Sequence, residues 1–408
     1  MKRVLLMGGG DLAKEVVHAL EAGGASVDWL DEPDDEGVRA AVESGRFDVA
    51  CAASREDAFP LRMALLVRHL DPELPLVVTI FDPAIARQVE RAIPHCEVTS
   101  IADIVAPVLA GQCLDSNIVA IRRTDSRWVG LDEALSEVEL PELKARRARA
   151  WIEAVFAPYD RSSGLLFYGA IGLVAMLLFE WIGSMIVLEQ GAIDALYGST
   201  KSLATVGPNS AVDDGPKWFK GAIVASMVLT LLSAACFTGG LINRLVDSSL
   251  TGLIGRRAVP RRDHVVVVGL GQVGLRLCLL LRECGVNVVA VDTVAEGENV
   301  GFARRAKLPV VIGRGANPAV LRRLSLERAR CLAAVTPDDL NNIEAAMAAR
   351  AADEDLRVLL RAGDGETADE TESLERIGHV VDVHRLAAEH IAGIALDRDV
   401  DLVSVSRA

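Results

Sequence analysis

Two short glycine runs, each at the end of an apolar strand, are the residues of this 408-residue chain whose spacing could do chemistry. The first lies in VLLMGGGDLA (Val4 to Ala13) and carries Gly8-x-Gly10-x-x-Ala13. The second lies in VVVVGLGQVG (Val265 to Gly274) and carries Gly269-x-Gly271-x-x-Gly274, with Gln272 and Val273 between. Glycines so placed let backbone approach a pyrophosphate at a helix start, where free N–H groups and the helix dipole favour an anion. Each run leads into a helix closing on glycine (Gly24, Gly285) and a strand closing on an acid (Asp31, Asp292). Gly8 to Asp31 and Gly269 to Asp292 are both 23 residues apart. Such an acid accepts ribose hydroxyls and disfavours the extra phosphate of NADP, leaving NAD(H) or an adenine nucleotide as the expected ligand. The competing reading is a sheet that keeps its glycines only for helix packing.

Other chemistry is hard to find. No P-loop Lys-Ser/Thr follows either glycine run, and no His/Asp or Lys constellation stands beside one, so an enzyme is not expected. The seven cysteines form no CxxC pair and no metal spacing, which fits reduced cytoplasmic thiols and no metal.

The elements that must position the glycines recur as well. AASREDAFPLRMALLVR (Ala52 to Arg68) aligns without gaps to AVTPDDLNNIEAAMAAR (Ala334 to Arg350), pairing Asp57 with Asp339, Ala64 with Ala346 and Arg68 with Arg350. The first copy is 21 residues shorter ahead of this segment, where the second has LPVVIGRG (Leu308 to Gly315). A third strand is therefore expected in the second copy and missing from the first. Further strands (LPLVVTIF, DLRVLLRA) and sixth elements (CEVTSIADIVAPVLA, VVDVHRLAAEHIAGIA) follow in both. The pattern predicts two α/β Rossmann-like doubly wound domains.

Between them the composition changes. Gly221 to Ile242 is 22 residues without a charge, and Leu165 to Leu188 has Glu180 as its only one. At about 1.5 Å per residue each run could span roughly 30 Å of hydrocarbon; two buried core helices are the alternative. Lys144, Arg146, Arg147, Arg149 and Arg161 precede the first run, and Arg244, Arg256, Arg257, Arg261 and Arg262 follow the second. Only Lys201, Lys217 and Lys220 are basic between them. The positive-inside rule then places both termini in the cytoplasm, with two spans in the cell membrane. No secretory signal is expected, because Val4 to Met7 is too short for one. The net charge is −14, and residues 1–143 hold 13 basic against 26 acidic side chains, which argues against nucleic acid as a partner.

Residues 189–219 contain a helix-compatible stretch too short and polar to span. At membrane depth irregular backbone survives only where protein buries it or water lines it, so a re-entrant pore loop in a symmetric oligomer is expected. The expected division is 1–143, a first Rossmann-like domain, and 144–163, a basic linker. A helical membrane domain, 164–243, has spans at 165–188 and 218–242 and a pore helix with its loop at about 191–209. A second basic linker, 244–262, leads to a second Rossmann-like domain, 263–408.

The two glycine motifs, with VVGLGQVG and AVTPDDLNN, are similar to those of RCK domains, regulators of potassium conductance related to Trk-type NAD-binding subunits. The apolar–loop–apolar middle resembles the two-helix pore of potassium channels. The resemblance covers nearly the whole chain and implies a homotetramer in a lipid bilayer passing a monovalent cation such as K+. It also implies that the C-terminal dimerisation subdomain of longer members is absent after Ala408. Gly313-Arg314 stands where the family usually has Gly-Asp, which argues against an acid-dependent calcium site.

Thr205-Val206-Gly207 resembles the start of a selectivity filter, whose carbonyls replace the ion's hydration shell. Pro208 stands where the family has an aromatic and Asn209 where it has a second glycine. Proline fixes φ and removes an N–H, so the outer sites are expected to be wider, more hydrated or missing, with reduced potassium preference. A filter that no longer conducts is the alternative. Lys201 could pair with Glu180 behind the filter, or both could reach the outer interface. Asp213 and Asp214 could ring the mouth or be ordinary loop acids, and Gly239-Gly240 could be a gating bend or a close packing point. Rival functions are a nucleotide-sensing regulatory subunit of a separate ion transporter, without conductance of its own, and a membrane-tethered NAD-dependent oxidoreductase.

Overall fold

The structure, a computed structural model, describes residues 1–124, 127–132, 134, 136–140, 161–204, 207, 209–246, 262–362 and 376–398. The first lobe runs β1 (Arg3–Met7), α1 (Gly10–Ala22), β2 (Ser26–Leu30), α2 (Asp35–Ser44), β3 (Val49–Ala52), α3 (Ala58–Leu70), β4 (Leu76–Thr79), α4 (Pro83–Ala92), β5 (Cys96–Thr99) and α5 (Ile101–Leu114). A small antiparallel sheet follows, β6 (Ala120–Thr124), β7 (Arg127–Leu131) and β8 (Glu137–Glu139), which no sequence signal had marked. The middle of the chain supplies α6 (Arg161–Val187), α7 (Ala192–Leu203) and α8 (Lys217–Val246). The second lobe runs β9 (His264–Val268), α9 (Gln272–Glu283), β10 (Asn287–Asp292), α10 (Glu298–Arg305), β11 (Val310–Ile312), α11 (Pro318–Arg323), β12 (Ala329–Ala334), α12 (Asp339–Ala352), β13 (Arg357–Ala362), β14 (His379–Asp382) and α13 (Val383–Ala395).

Both large sheets are parallel and Rossmann-like. Their orders are β2-β1-β3-β4-β5 and β11-β10-β9-β12-β13-β14. Parallel strands covered on both faces need unbroken apolar runs, and His264–Val268 and Val49–Ala52 are buried throughout. Among the described residues no strand lies outside β2; α2 leads directly into β3 where the second lobe inserts β11. In both sheets the strand order reverses beside the first strand, so each glycine run opens at a switch-point crevice. Aspartates fix the helix starts: Asp34, Asp82 and Asp382 each accept backbone N–H groups of α2, α4 and α13.

The lobes exchange their last helices. α13 packs on α1, while α5 packs on α9. One buried cluster therefore runs through both lobes, holding Leu6, Val16, Leu109 and Cys113 together with Val267, Leu277, Cys331 and Ile391. Polar ties follow the same seam: Lys2 Nζ donates to the Ala395 carbonyl (3.1 Å) and Arg398 to that of Gly23 (2.8 Å). Met1–Ala150 and Val259–Ala408 consequently form one compact unit, where the sequence pattern suggests two separate domains. The aligned arginines act alike, since Arg68 donates to the carbonyls of Pro72 and Pro94, and Arg350 to those of Glu354 and Ile377.

In the other unit, Trp151–Ala258, α6 and α8 lie antiparallel. Small residues let the backbones close: Gly169 meets Phe237, Gly172 meets Ser233, and Gly240 meets Leu166. Leu165–Val187 and Lys217–Ile242 are long and apolar enough to cross a membrane, and both are mostly unburied. α8 continues unbroken past Gly239 and Gly240; Gly240 is a packing point and Gly239 faces open space.

Two outcomes follow from the shared core. Residues 1–140 expressed alone should be unfolded, and co-expression with 262–408 should return a cooperative melting transition; a stable isolated 1–140 fragment would contradict the exchange. His264 is fully buried beside the Leu324 carbonyl, and burial lowers its pKa from about 6.5 to about 4. The unfolded chain takes up this proton first, so stability is present above pH 6.5 and falls as pH drops toward 4. His264→Gln should flatten that part of the pH–stability curve, measured by thermal melting.

Candidate functional site

A cavity of about 1100 Å³ opens at the second lobe's switch point. Its floor is the glycine run between β9 and α9. The outer glycines of the motif are packing positions: a Cβ on Gly269 would lie 2.8 Å from Thr336, and one on Gly274 would collide with the Gly269 carbonyl. Gly271 has open space where its Cβ would be, which is where a pyrophosphate needs close backbone approach. Asp292 lines the same cavity. Its Oδ2 accepts the Leu270 N–H (2.7 Å) and its Oδ1 the Val294 N–H (2.8 Å), so it pins the loop. A carboxylate has about four acceptor sites, leaving capacity for ribose hydroxyls. Val273 points into the core, and Gln272 reaches across to donate to the Arg55 carbonyl of the first lobe (3.1 Å). Buried Asn342 holds the facing loop by accepting the Thr336 N–H (2.9 Å) and donating to the Arg361 carbonyl (3.0 Å).

The first lobe supplies another wall, which single-copy reasoning could not foresee. Asp57, Asp103, the Phe81–Asp82 segment and Pro83, Ala84, Ile85 and Arg87 of α4 line the cavity. Asp57 fixes that segment by accepting the N–H groups of Phe81 (2.8 Å) and Asp82 (2.9 Å). Asp103 pairs with Arg276, and Glu344 with Arg314 (2.9 Å). The Gly313-Arg314 departure thus carries a cation engaged at the cavity edge.

The first lobe's own glycine run is occupied differently. Trp29 Nε1 donates to the Gly8 carbonyl (2.8 Å), and a Cβ on Gly9 would stand 2.5 Å from Glu32 Cγ and 2.9 Å from Asp31 Oδ1. Two carboxyl side chains therefore crowd Gly9, while Gly10 faces open space. The second lobe is therefore the candidate site.

In the helical unit, Thr205, Val206 and Pro208 lie outside the described residues. Gly207 has φ +139°, a conformation that disfavours side chains. Asn209 is buried against Gly198; its Nδ2 donates to Gln190 Oε1 (2.5 Å) and its Oδ1 accepts the Ala211 N–H (3.2 Å). Buried Glu180 accepts from Ser226 on α8, whereas Lys201 lies over the Tyr197 ring (5.8 Å), so of the two readings left open the direct pair is not the one made. Asp213 and Asp214 are exposed in the short 3-10 turn Ser210–Asp214. All seven cysteines are free; burial pushes the Cys51 thiol up to about 12 and Cys96 up to about 11, keeping both protonated at neutral pH.

The glycine-loop geometry has a family counterpart. The model of the TrkA-N domain matches residues 265–383. This segment is similar to TrkA-N domains. Its span, from β9 to the first residue of α13, contains the cavity's glycine run and Asp292. Relatives include the voltage-gated potassium channel Kch of Escherichia coli, 23% identical over 205 residues, which are 49% of this chain and 48% of Kch. Potassium channel protein 1 of Methanocaldococcus jannaschii is 20% identical over 208 residues, 49% of this chain and 62% of that one. The chain spans 34%, 48% and 62% of the curated relatives it matches. The fold is shared with the GsuK channel (TM-score 0.54, 14% identity, 97% of this chain and 64% of that chain). It is shared too with the GsuK channel bound to NAD (TM-score 0.52, 15% identity, 97% and 64%). The resemblance to RCK-bearing potassium channels read from the TrkA-N motifs thus stands.

The two acids at the ends of β2 and β10 should behave differently. Asp292→Asn removes one of two acceptors for backbone N–H groups and should destabilise by about 1–3 kcal/mol without ligand. Asp31→Asn, which loses no such bond, should stay within about 0.5 kcal/mol. Equal effects on the melting temperature of the detergent-solubilised protein would contradict this assignment.

Proposed function

We propose that the chain is a subunit of a potassium-channel-like cation channel in the cell membrane, gated by NAD(H) or an adenine nucleotide bound in the TrkA-N cavity. The observation carrying this reading is that the stretches before α6 and after α8 fold as one unit around a glycine-loop cavity. A single unit at both chain ends of the α6–α8 hairpin supports both ends opening to one aqueous compartment. Together with the basic flanks this supports two spans with cytoplasmic termini. A two-span subunit cannot enclose a pore alone, so a homotetramer around a shared axis is proposed.

In this assembly α7 is the pore helix. Thr205, Val206 and Gly207 supply inner carbonyl rings, and Asp213 and Asp214 concentrate cations at the mouth. Asn209, whose side-chain amide is engaged by Gln190, supports loss of the outer carbonyl sites and hence weaker potassium preference. The nucleotide acts as a regulatory ligand and not as a hydride donor. It shifts the pore equilibrium by its difference in affinity for the open and closed arrangements. The same engaged Asn209 favours a second reading, a nucleotide-sensing subunit of another transporter with its own pore closed.

Potassium and sodium flux through the purified protein in liposomes, with and without NAD(H), ADP and ATP, tests this. We expect nucleotide-dependent flux of both ions. Nucleotide binding without any flux would favour the regulatory subunit, and potassium selectivity as strong as in ordinary potassium channels would contradict the outer-site argument.

A further inference from the structure

We propose that Arg87, on α4 of the first lobe, reads the negative charge of the ligand in the second-lobe cavity, so that a nucleoside diphosphate, free or within a dinucleotide, is held by both lobes at once. This rests on the nucleotide reading above and adds to it a residue that the TrkA-N domain does not contain.

Three guanidinium groups line the cavity: Arg87, Arg276 and Arg314. Arg276 is engaged by Asp103 and Arg314 by Glu344. Among the described residues Arg87 has no ion pair or hydrogen bond, and its side chain is exposed to the cavity and solvent. It is the cation free to meet an incoming anion.

The alternative anion holder on the same wall is already used. Asp82 caps α4 by accepting the N–H groups of Ala84 (2.6 Å) and Ile85 (3.3 Å), so the helix start offers a carboxylate and not free donors. Other lining acids are turned to backbone as well: Asp57 to Phe81 and Asp82, Asp292 to Leu270 and Val294, Asp338 to Asn341. A planar guanidinium offers paired donors that match phosphate oxygens, and in a cleft poor in other free cations that match discriminates charged from uncharged ligands.

The consequence concerns coupling. The first lobe continues along the chain into α6, and the second is entered from α8. A ligand gripped by Arg87 on one side and the Gly271 loop on the other favours one arrangement of the cavity walls, which belong to the lobes that the two helices join along the chain.

The test uses the full chain in detergent and isothermal titration with ADP, NAD and adenosine. Arg87→Ala should weaken ADP and NAD roughly tenfold while leaving adenosine affinity and the ligand-free melting temperature unchanged, and Arg87→Lys should recover part of the loss. Unchanged ADP affinity in Arg87→Ala overturns the proposal while leaving the nucleotide site intact. An equal loss for adenosine overturns it too, showing a structural role. If the wild-type chain binds none of the three, the nucleotide reading fails and this inference with it.

Discussion

The exchange of terminal helices between the lobes is the constraint on which the rest depends. Each lobe ends in an apolar helix, α5 or α13, whose buried face is completed by the glycine-run helix of the other lobe. Burial of apolar surface at roughly 25 cal/mol per Å² makes such a seam hard to open piecemeal. It follows that chain segments separated by the whole helical hairpin fold as one body. It follows too that the second lobe's crevice acquires a wall from the first.

Two glycine runs that look alike in sequence differ in their surroundings. The second glycine run opens on a cavity, with Gly271 unobstructed and Asp292 fixing the loop. The first is crowded by Asp31 and Glu32 and tied by Trp29. The first lobe supplies part of the wall of the second lobe's open crevice.

Much of this was legible from residues. The Rossmann-like winding followed from strand, glycines, helix, strand and acid, because those positions are set by local backbone sterics and by helix–strand packing. The extents of α6 and α8 followed from charge-free length. What escaped was tertiary. Nothing in Phe81–Arg87 marks it as lining another lobe's cavity, and the sheet β6–β8 has no strong periodicity in so short a span. Sequence position left a Glu180–Lys201 pair and two separate side chains both open, because a buried carboxyl can be satisfied by a nearby hydroxyl, here Ser226, and a lysine by an aromatic face. Asn209 stands out in sequence as a departure, but its inward turn depends on Gln190 and on the space left by Gly198.

The central claim is that a nucleotide in the TrkA-N cavity controls ion passage through the hairpin's assembly. Recording current from the reconstituted protein in a planar bilayer, with NAD(H) or ADP added first to one face and then to the other, addresses it most directly. The account predicts a change in open probability from the face bearing both termini and none from the opposite face. A current indifferent to nucleotide on both faces, or responsive only from the face away from the termini, would contradict it.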